Sequence, residues 1–376
     1  MISSLTNNTL LLRRRWLAWA VAAALAAVSA RLLVFKLSAQ PLCIDFLAMW
    51  TGGRMTNPYD VAAVDHAQAW LLGAAAHDRP FPYPPSALLV FGPLGRLPFW
   101  TASAVWMTVT LAAFALVALL LLPGRQRLLG AALLAVLPGV VWAALSGQIS
   151  FLIGALAIGG VALLDRRPLL AGALLGVAAA FKPTVLLLAP VALIAGGHWR
   201  ALAGAMLGGL ATIAASVLAY GLAPWLAWIA GASGYLAHIT GNPRFFTSII
   251  TPMGLAAQLG LKGWVLTVWR LAFTAAGLAV AILVFRRKPP LATRLTALIG
   301  ASLLASPYAM NYETVLLAPG AVLAVVESRG RITDLAAYVA LALAGLPVIS
   351  PIAFLIYILL ALNRDGSRPI TSAPRP

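Results

Sequence analysis

The chain has 376 residues, of which 62% are hydrophobic and 9% charged. Soluble domains carry about 25% charged residues, so a conventional soluble fold is excluded. The net charge of +17 sits in short clusters between apolar runs, the pattern of cytoplasmic loops; nucleic-acid binding would need longer basic stretches interleaved with aromatics.

Apolar runs recur from residue 16 to residue 362 and leave no room for a separate soluble domain. The expectation is one all-α polytopic membrane domain over residues 1–376. Cys43 is the only cysteine, which rules out an intrachain disulfide and a thiolate metal cluster. The first run follows Arg13, Arg14 and Arg15 and begins at Trp16. Ala27-Val28-Ser29-Ala30 resembles a small-residue cleavage site, but the run continues through Leu32, Leu33, Val34 and Phe35. An uncleaved first transmembrane helix is therefore expected.

Further basic clusters follow at Arg125 and Arg127, Arg166 and Arg167, His198 and Arg200, Arg286 to Lys288 with Arg294, Arg329 and Arg331, and Arg364 and Arg368. With all of them cytoplasmic, an even number of spans separates each pair. This gives about twelve spans, centred near residues 26, 111, 136, 157, 175, 189, 211, 275, 299, 319, 341 and 356, with both termini in the cytoplasm. Two long outer connections remain, roughly residues 38–100 and 223–263. Within the first, Ser86 to Leu97 is too short to span and is flanked by Pro84, Pro85 and Pro98, so it reads as a juxtamembrane or re-entrant helix. Residues 249–261 read alike. Trp50, Trp70, Trp100, Trp106, Trp142, Trp225, Trp228, Trp264 and Trp269 all fall on or near the outer side, where tryptophan favours the headgroup layer.

Acidic residues are scarce: nine in all, with Asp45, Asp60, Asp65 and Asp78 in the first outer connection. Asp45 stands among apolar neighbours in Leu42-Cys43-Ile44-Asp45-Phe46-Leu47, just beyond the first span. A carboxylate there is costly without a partner or a task. It suits a general base, which must be partly withdrawn from water; the plainer readings are a helix cap or an ion pair with Arg54. Asn57-Pro58-Tyr59-Asp60 reads as a helix start capped by Asn57, which turns Asp65 and His66 apart and argues against a metal site. Glu313 follows Asn311 and Tyr312 at the outer end of the tenth span.

Cations outside the cytoplasm are the second signal. Lys182 interrupts an apolar stretch in Phe181-Lys182-Pro183, at the outer junction of the fifth and sixth spans. Arg244 lies in the second outer connection, and Arg54, Arg79 and Arg96 in the first. Lys182, Arg244 and Arg54 are candidates to hold a lipid phosphate, against snorkelling to the interface; Arg79 and Arg96 read as structural. Short polar turns at Tyr59, Tyr83, Ser146-Gly147-Gln148, Ser306-Pro307-Tyr308 and Asn311 could line one outer cavity.

In this order Asp45-Phe46, Asn57-Pro58-Tyr59, Phe81-Pro82-Tyr83-Pro84-Pro85, Gly147-Gln148, Phe181-Lys182-Pro183 and Ser306-Pro307-Tyr308 resemble glycosyltransferase family 87. That family comprises polyprenol-phosphate-mannose-dependent mannosyltransferases and their bacterial relatives in the GT-C superfamily. The likeness covers residues 42 to about 320. It implies a GT-C fold, Asp45 as catalytic base, a polyprenyl-phosphate sugar donor, and no required metal or other cofactor. The acceptor does not carry over from so broad a family; an envelope glycolipid or glycan is expected, and the basic clusters put the active site on the outer face of a bacterial plasma (inner) membrane. The competing reading is a transporter or flippase of lipid-linked sugars. Such proteins place polar residues near the bilayer midplane on broken helices, whereas here the polar groups gather at one face.

Overall fold

The computed structural model of the chain describes residues 2–39, 41–72, 79–328, 331–347 and 349–363. Asp78, Arg329, Arg364, Asp365 and Arg368 fall outside the described residues, as do the side chains of Arg13 to Arg15 and of Arg244. The protein is an all-helical, multi-pass membrane protein. Helix α1 (Ile2–Ala39) leads into a short segment and then α2 (Phe46–Arg54), α3 (Val61–Leu72) and α4 (Leu88–Gly95), which precede the next long helix. The central helices are α5 (Phe99–Leu120), α6 (Arg127–Ala135), α7 (Pro138–Ser146), α8 (Ser150–Leu163), α9 (Pro168–Phe181), α10 (Ala189–Ala195) and α11 (Trp199–Tyr220). Next come α12 (Ala223–Gly241), α13 (Pro243–Phe246) and α14 (Pro252–Gln258). The chain closes with α15 (Gly263–Arg286), α16 (Leu291–Ala305), α17 (Thr314–Glu327), α18 (Ile332–Ala344) and α19 (Ser350–Leu362).

Among the described residues four helices are long and apolar enough to cross a membrane: Trp16–Ala39 of α1, α5, α11 and α15. A fifth crossing arises if the chain from Gly124 to Ser146, bent by 65° between α6 and α7, is taken as one broken span. Each expected span centre falls on a helix, or on the α6–α7 break for residue 136, but the count of twelve does not follow. Helices of 13 to 15 residues, such as α8, α9 and α16 to α19, are about 20 Å long, short of a hydrocarbon core of about 30 Å.

Breaks in apolar helices free backbone groups that the membrane cannot hydrate. Side chains from neighbouring helices take them up. Ser29 Oγ on α1 donates to the Val136 carbonyl at the α6–α7 break, at 2.7 Å, and Pro138 opens α7 where no N–H is missed. Ser302 Oγ on α16 accepts from the Leu188 N–H at the start of α10, at 3.1 Å. Helices α9 and α11 make the most extensive helix–helix contact, and glycines allow it. A Cβ on Gly172 would sit 1.8 Å from the Ala201 carbonyl oxygen, and one on Gly176 would sit 2.0 Å from that of Ala205. This is the small-residue, four-apart pattern by which membrane helices bring backbones together.

Helices α2 and α4 pack with the start of α5 on an aromatic core. Phe46 stacks on Trp106 with ring centroids 6.0 Å apart, Trp50 meets Phe99 edge-on at 5.6 Å, and Phe91 meets Trp106 at 5.1 Å. Trp50 and Trp106 are thus buried, not interfacial as expected; their indole N–H groups donate to the carbonyls of Leu97 and Gly147 at 2.9 and 3.1 Å. Trp70, Trp100 and Trp264 do stand exposed. The expected Asn57 cap is also corrected. Helix α3 starts at Val61 and Asp60 Oδ1 accepts from the Ala63 N–H at 3.1 Å, while Asn57 Oδ1 closes a turn onto the Tyr59 N–H at 3.2 Å. An Asn before proline satisfies its own turn two residues on, which leaves the next carboxylate to cap.

Candidate functional site

The chain segment before α2 is pinned to the end of α7. The Cys43 N–H donates to the Leu145 carbonyl at 2.7 Å and the Asp45 N–H to that of Ser146 at 3.0 Å. The docking demands two unusual backbones. Gly147 ends α7 in the left-handed region (φ 76°), where a Cβ would meet Phe46 Cβ at 2.7 Å. Cys43 is held at φ 56°, strained for a residue with a side chain. The outcome is that Gln148, just past the turn, faces Asp45. Gln148 Nε2 donates to Asp45 Oδ2 at 2.6 Å, and the Arg79 guanidinium pairs with Asp45 Oδ1. Asp45 occupies the N-cap position of α2 without capping it, and Arg54 is not its partner. Arg54 instead donates to the Gly95 carbonyl at 2.7 Å and stacks over Trp50 at 4.6 Å, away from the cavities below.

A second ion pair is built where α9 ends. Pro183 forces Lys182 out of helical geometry (φ −147°, ψ 80°), and Ser86 Oγ donates to the nearby Ala180 carbonyl, tying the Pro84-Pro85 turn to this end. The Lys182 ammonium pairs with Glu313, which also accepts from Ser150 Oγ at 3.1 Å. Lys182 further faces the rings of Tyr83 and Tyr312, at 5.7 and 5.6 Å. Glu313 is 1% exposed.

These pairs line two adjoining cavities. The larger, about 600 Å³, is mostly apolar and aromatic, walled by Tyr59, Phe81, Phe181, Trp228, Leu236 and Tyr308, with Lys182 and Glu313 at one side. The smaller, about 270 Å³, carries Asp45, Arg79, Gln148, Lys36 and Trp142. Tyr83, Tyr235, Met310 and Tyr312 belong to both and form the shared wall. The connection from α11 to α15 contributes to both. The Ile250 N–H donates to the Ala309 carbonyl at 2.8 Å and the Asn311 N–H to that of Ser248 at 2.7 Å, which sets α12 and α13 over the opening. Burial pushes the Tyr83, Tyr235 and Tyr312 phenols upward, and that of Tyr308 up to about 12. All four are therefore neutral hydrogen-bonding groups near neutral pH.

Of the residues expected from sequence, Asp45 and Gln148 meet in the smaller cavity, Tyr59, Lys182 and Tyr308 line the larger, and Tyr83 lines both. Asn311 reaches the smaller cavity, yet its side-chain amide is committed to the Gly345 carbonyl at 3.1 Å. Arg54 is not brought to the group. For Arg244 only the neighbourhood is defined: Phe245, next in the chain, lines the smaller cavity. Four residues at the cavities were not among the expected site residues: Lys36 and Tyr235, Glu313, noted only at the end of a span, and Arg79, read as structural. Lys36 and Glu313 carried a usable signal, a charge set among apolar residues at a helix end; Tyr235 carried none.

No curated protein and no solved structure matches the chain. The family model described as glycosyltransferase family 87 matches residues 81–307. That stretch contains Tyr83, Gln148, Lys182 and Tyr235; Asp45, Arg79 and Glu313 flank it. The match spans more than half of the sequence, on a multi-pass helical fold with a carboxylate facing a cavity: the chain belongs to glycosyltransferase family 87.

Proposed function

We propose that this membrane glycosyltransferase, on a GT-C-type scaffold, moves a hexose, which we read as mannose, from a polyprenyl-phosphate donor to an envelope glycolipid or glycan. We place the reaction on the outer face of the membrane. One observation carries the reading: an apolar cavity of about 600 Å³ shares a wall with a polar cavity that holds Asp45. The first suits the start of an isoprenoid chain and the second a sugar and an acceptor hydroxyl. In this scheme the acceptor oxygen attacks the anomeric carbon as its proton passes to the Asp45 carboxylate. The anomeric C–O bond to phosphate breaks and polyprenyl phosphate leaves. One open carboxylate supports direct displacement with inversion. Double displacement needs a carboxylate pair with one member free to bond the sugar, and Glu313 is engaged by Lys182 and Ser150.

Gln148 and Arg79 each bind one oxygen of Asp45. A carboxylate accepts about four hydrogen bonds, so room remains for the incoming hydroxyl. The test uses purified protein in nanodiscs with extracted envelope lipids and glycans as acceptors. Radiolabel is supplied either as polyprenyl-phosphate mannose or as a nucleotide mannose. Transfer from the lipid donor alone is expected; efficient transfer from the nucleotide sugar alone overturns the donor assignment.

A further inference from the structure

We propose that Lys36 and Arg79 together form the anion site that binds the donor phosphate and receives the charge of the departing lipid phosphate. The proposal rests on the polyprenyl-phosphate reading above and changes which cations serve it. Charge distribution is the first argument. Lys182 and Glu313 pair with each other at the larger cavity, so that pair offers an anion no net attraction. The smaller cavity is lined by two cations, Lys36 and Arg79, against one carboxylate, Asp45.

The second argument is the pose of Lys36. It lies in the last turn of α1, where a lysine ordinarily extends its ammonium to water. Here its neighbours Phe35 and Leu37 are the exposed ones, at 60% and 51%, while Lys36 is 3% exposed. Its ammonium lies over the Trp142 ring at 4.4 Å, a cation–π contact that fixes it at the cavity wall. A charge turned inward from a lipid-facing helix is costly, and such residues mark substrate paths.

Unused capacity is the third. Arg79 spends one of its five N–H donors on Asp45, and its Nε is buried without a hydrogen-bond partner. Gln148 Oε1, in the same cavity, is likewise buried and unpartnered; being an acceptor, it suits a sugar hydroxyl and not the phosphate. A planar guanidinium can hold the carboxylate on one edge and a phosphate on another. Arg79 would then stand between two anions, Asp45 and the phosphate, and screen each from the other. When the anomeric C–O bond breaks, its electron pair goes to the phosphate oxygen, and fixed cations there lower the barrier.

The test compares binding of a polyprenyl monophosphate and the matching uncharged polyprenol by the full-length protein in nanodiscs. Wild type should prefer the phosphate. Lys36→Met and Arg79→Gln should each cut that preference by about tenfold or more, as loss of one charge-assisted hydrogen bond predicts. Lys36→Arg should restore most of it, and the double variant Lys182→Met/Glu313→Gln should keep it. Loss of preference in the double variant, with Lys36→Met unchanged, overturns the proposal in favour of Lys182. No preference in wild type defeats the donor reading itself and leaves these residues without this role. If a variant does not fold, recoupling between lipid ³¹P and ¹⁵N-labelled lysine and arginine side chains in wild type replaces it. Signals that persist in a Lys182→Arg background support the site, and loss of the lysine signal in that background refutes it.

Discussion

The protein holds two buried or half-buried ion pairs on either side of one tyrosine wall, and they differ in what surrounds them. Arg79–Asp45 is open to the smaller cavity, with side chains 17% and 20% exposed, and leaves donors and acceptors unused. Lys182–Glu313 borders the larger cavity but is more nearly closed: its carboxylate is 1% exposed and bound by both Lys182 and Ser150. A closed pair stabilises its own geometry, because removing one partner strands the other charge in a poorly solvated place. An open pair can exchange partners with a substrate. The two ion pairs therefore differ in setting, one joining the end of α9 to the start of α17 and the other facing the smaller cavity, where we propose the chemistry.

The largest stability effect should come from breaking the closed pair. Glu313→Gln should destabilise the protein by about 3–5 kcal/mol, read as thermal unfolding in detergent, and the double variant Lys182→Met/Glu313→Gln should recover much of that loss. A single variant as stable as wild type would show that the pair is not closed. Ser150→Ala comes next, at about 1.5–3 kcal/mol for one hydrogen bond to a charged group, measured in the same way. Asp45→Asn should cost less stability than either, since solvent and Gln148 still serve that position; an equal loss would erase the difference between the pairs.

The smallest effect concerns the wall. Burial raises the Tyr308 pKa to about 12. A raised folded-state value means that its stabilising contribution is complete below the ordinary tyrosine range of about 10. That contribution is lost as pH rises through about 12. The phenolate absorbance difference between wild type and Tyr308→Phe should accordingly stay flat through pH 10. A Tyr308 signal appearing at pH 10 would place the residue in water.

How much of this was legible beforehand depended on range. Helix positions and breaks were local. Pro183, Gly147 and the Ser306-Pro307 turn announced the ends of α9, α7 and α16, and each expected span centre fell on a helix or on a break. Asp45 was conspicuous because a lone charge among apolar residues is expensive anywhere. Lys36, in Val34-Phe35-Lys36-Leu37, obeys the same rule, but a lysine at a helix end reads equally as an interfacial anchor until its direction is known. Pairings were not legible. Lys182 and Glu313 are 131 residues apart and Arg79 and Asp45 are 34 apart, and neither pair lies at a helical spacing. The buried tryptophans were misread for a related reason. Trp50 and Trp106 have the composition of a headgroup belt, and only packing with Phe46, Phe91 and Phe99 turns them into a core.

In the proposed reaction Asp45, and not Glu313, takes the proton during transfer. Single-turnover rates with saturating lipid-linked donor test it directly, comparing Asp45→Asn with Lys182→Met/Glu313→Gln. Asp45→Asn should lose about 100- to 10,000-fold at nearly unchanged donor affinity, with most turnover retained by the folded double variant. The reverse pattern, an active Asp45→Asn and an inactive double variant, would move the catalytic base to Glu313.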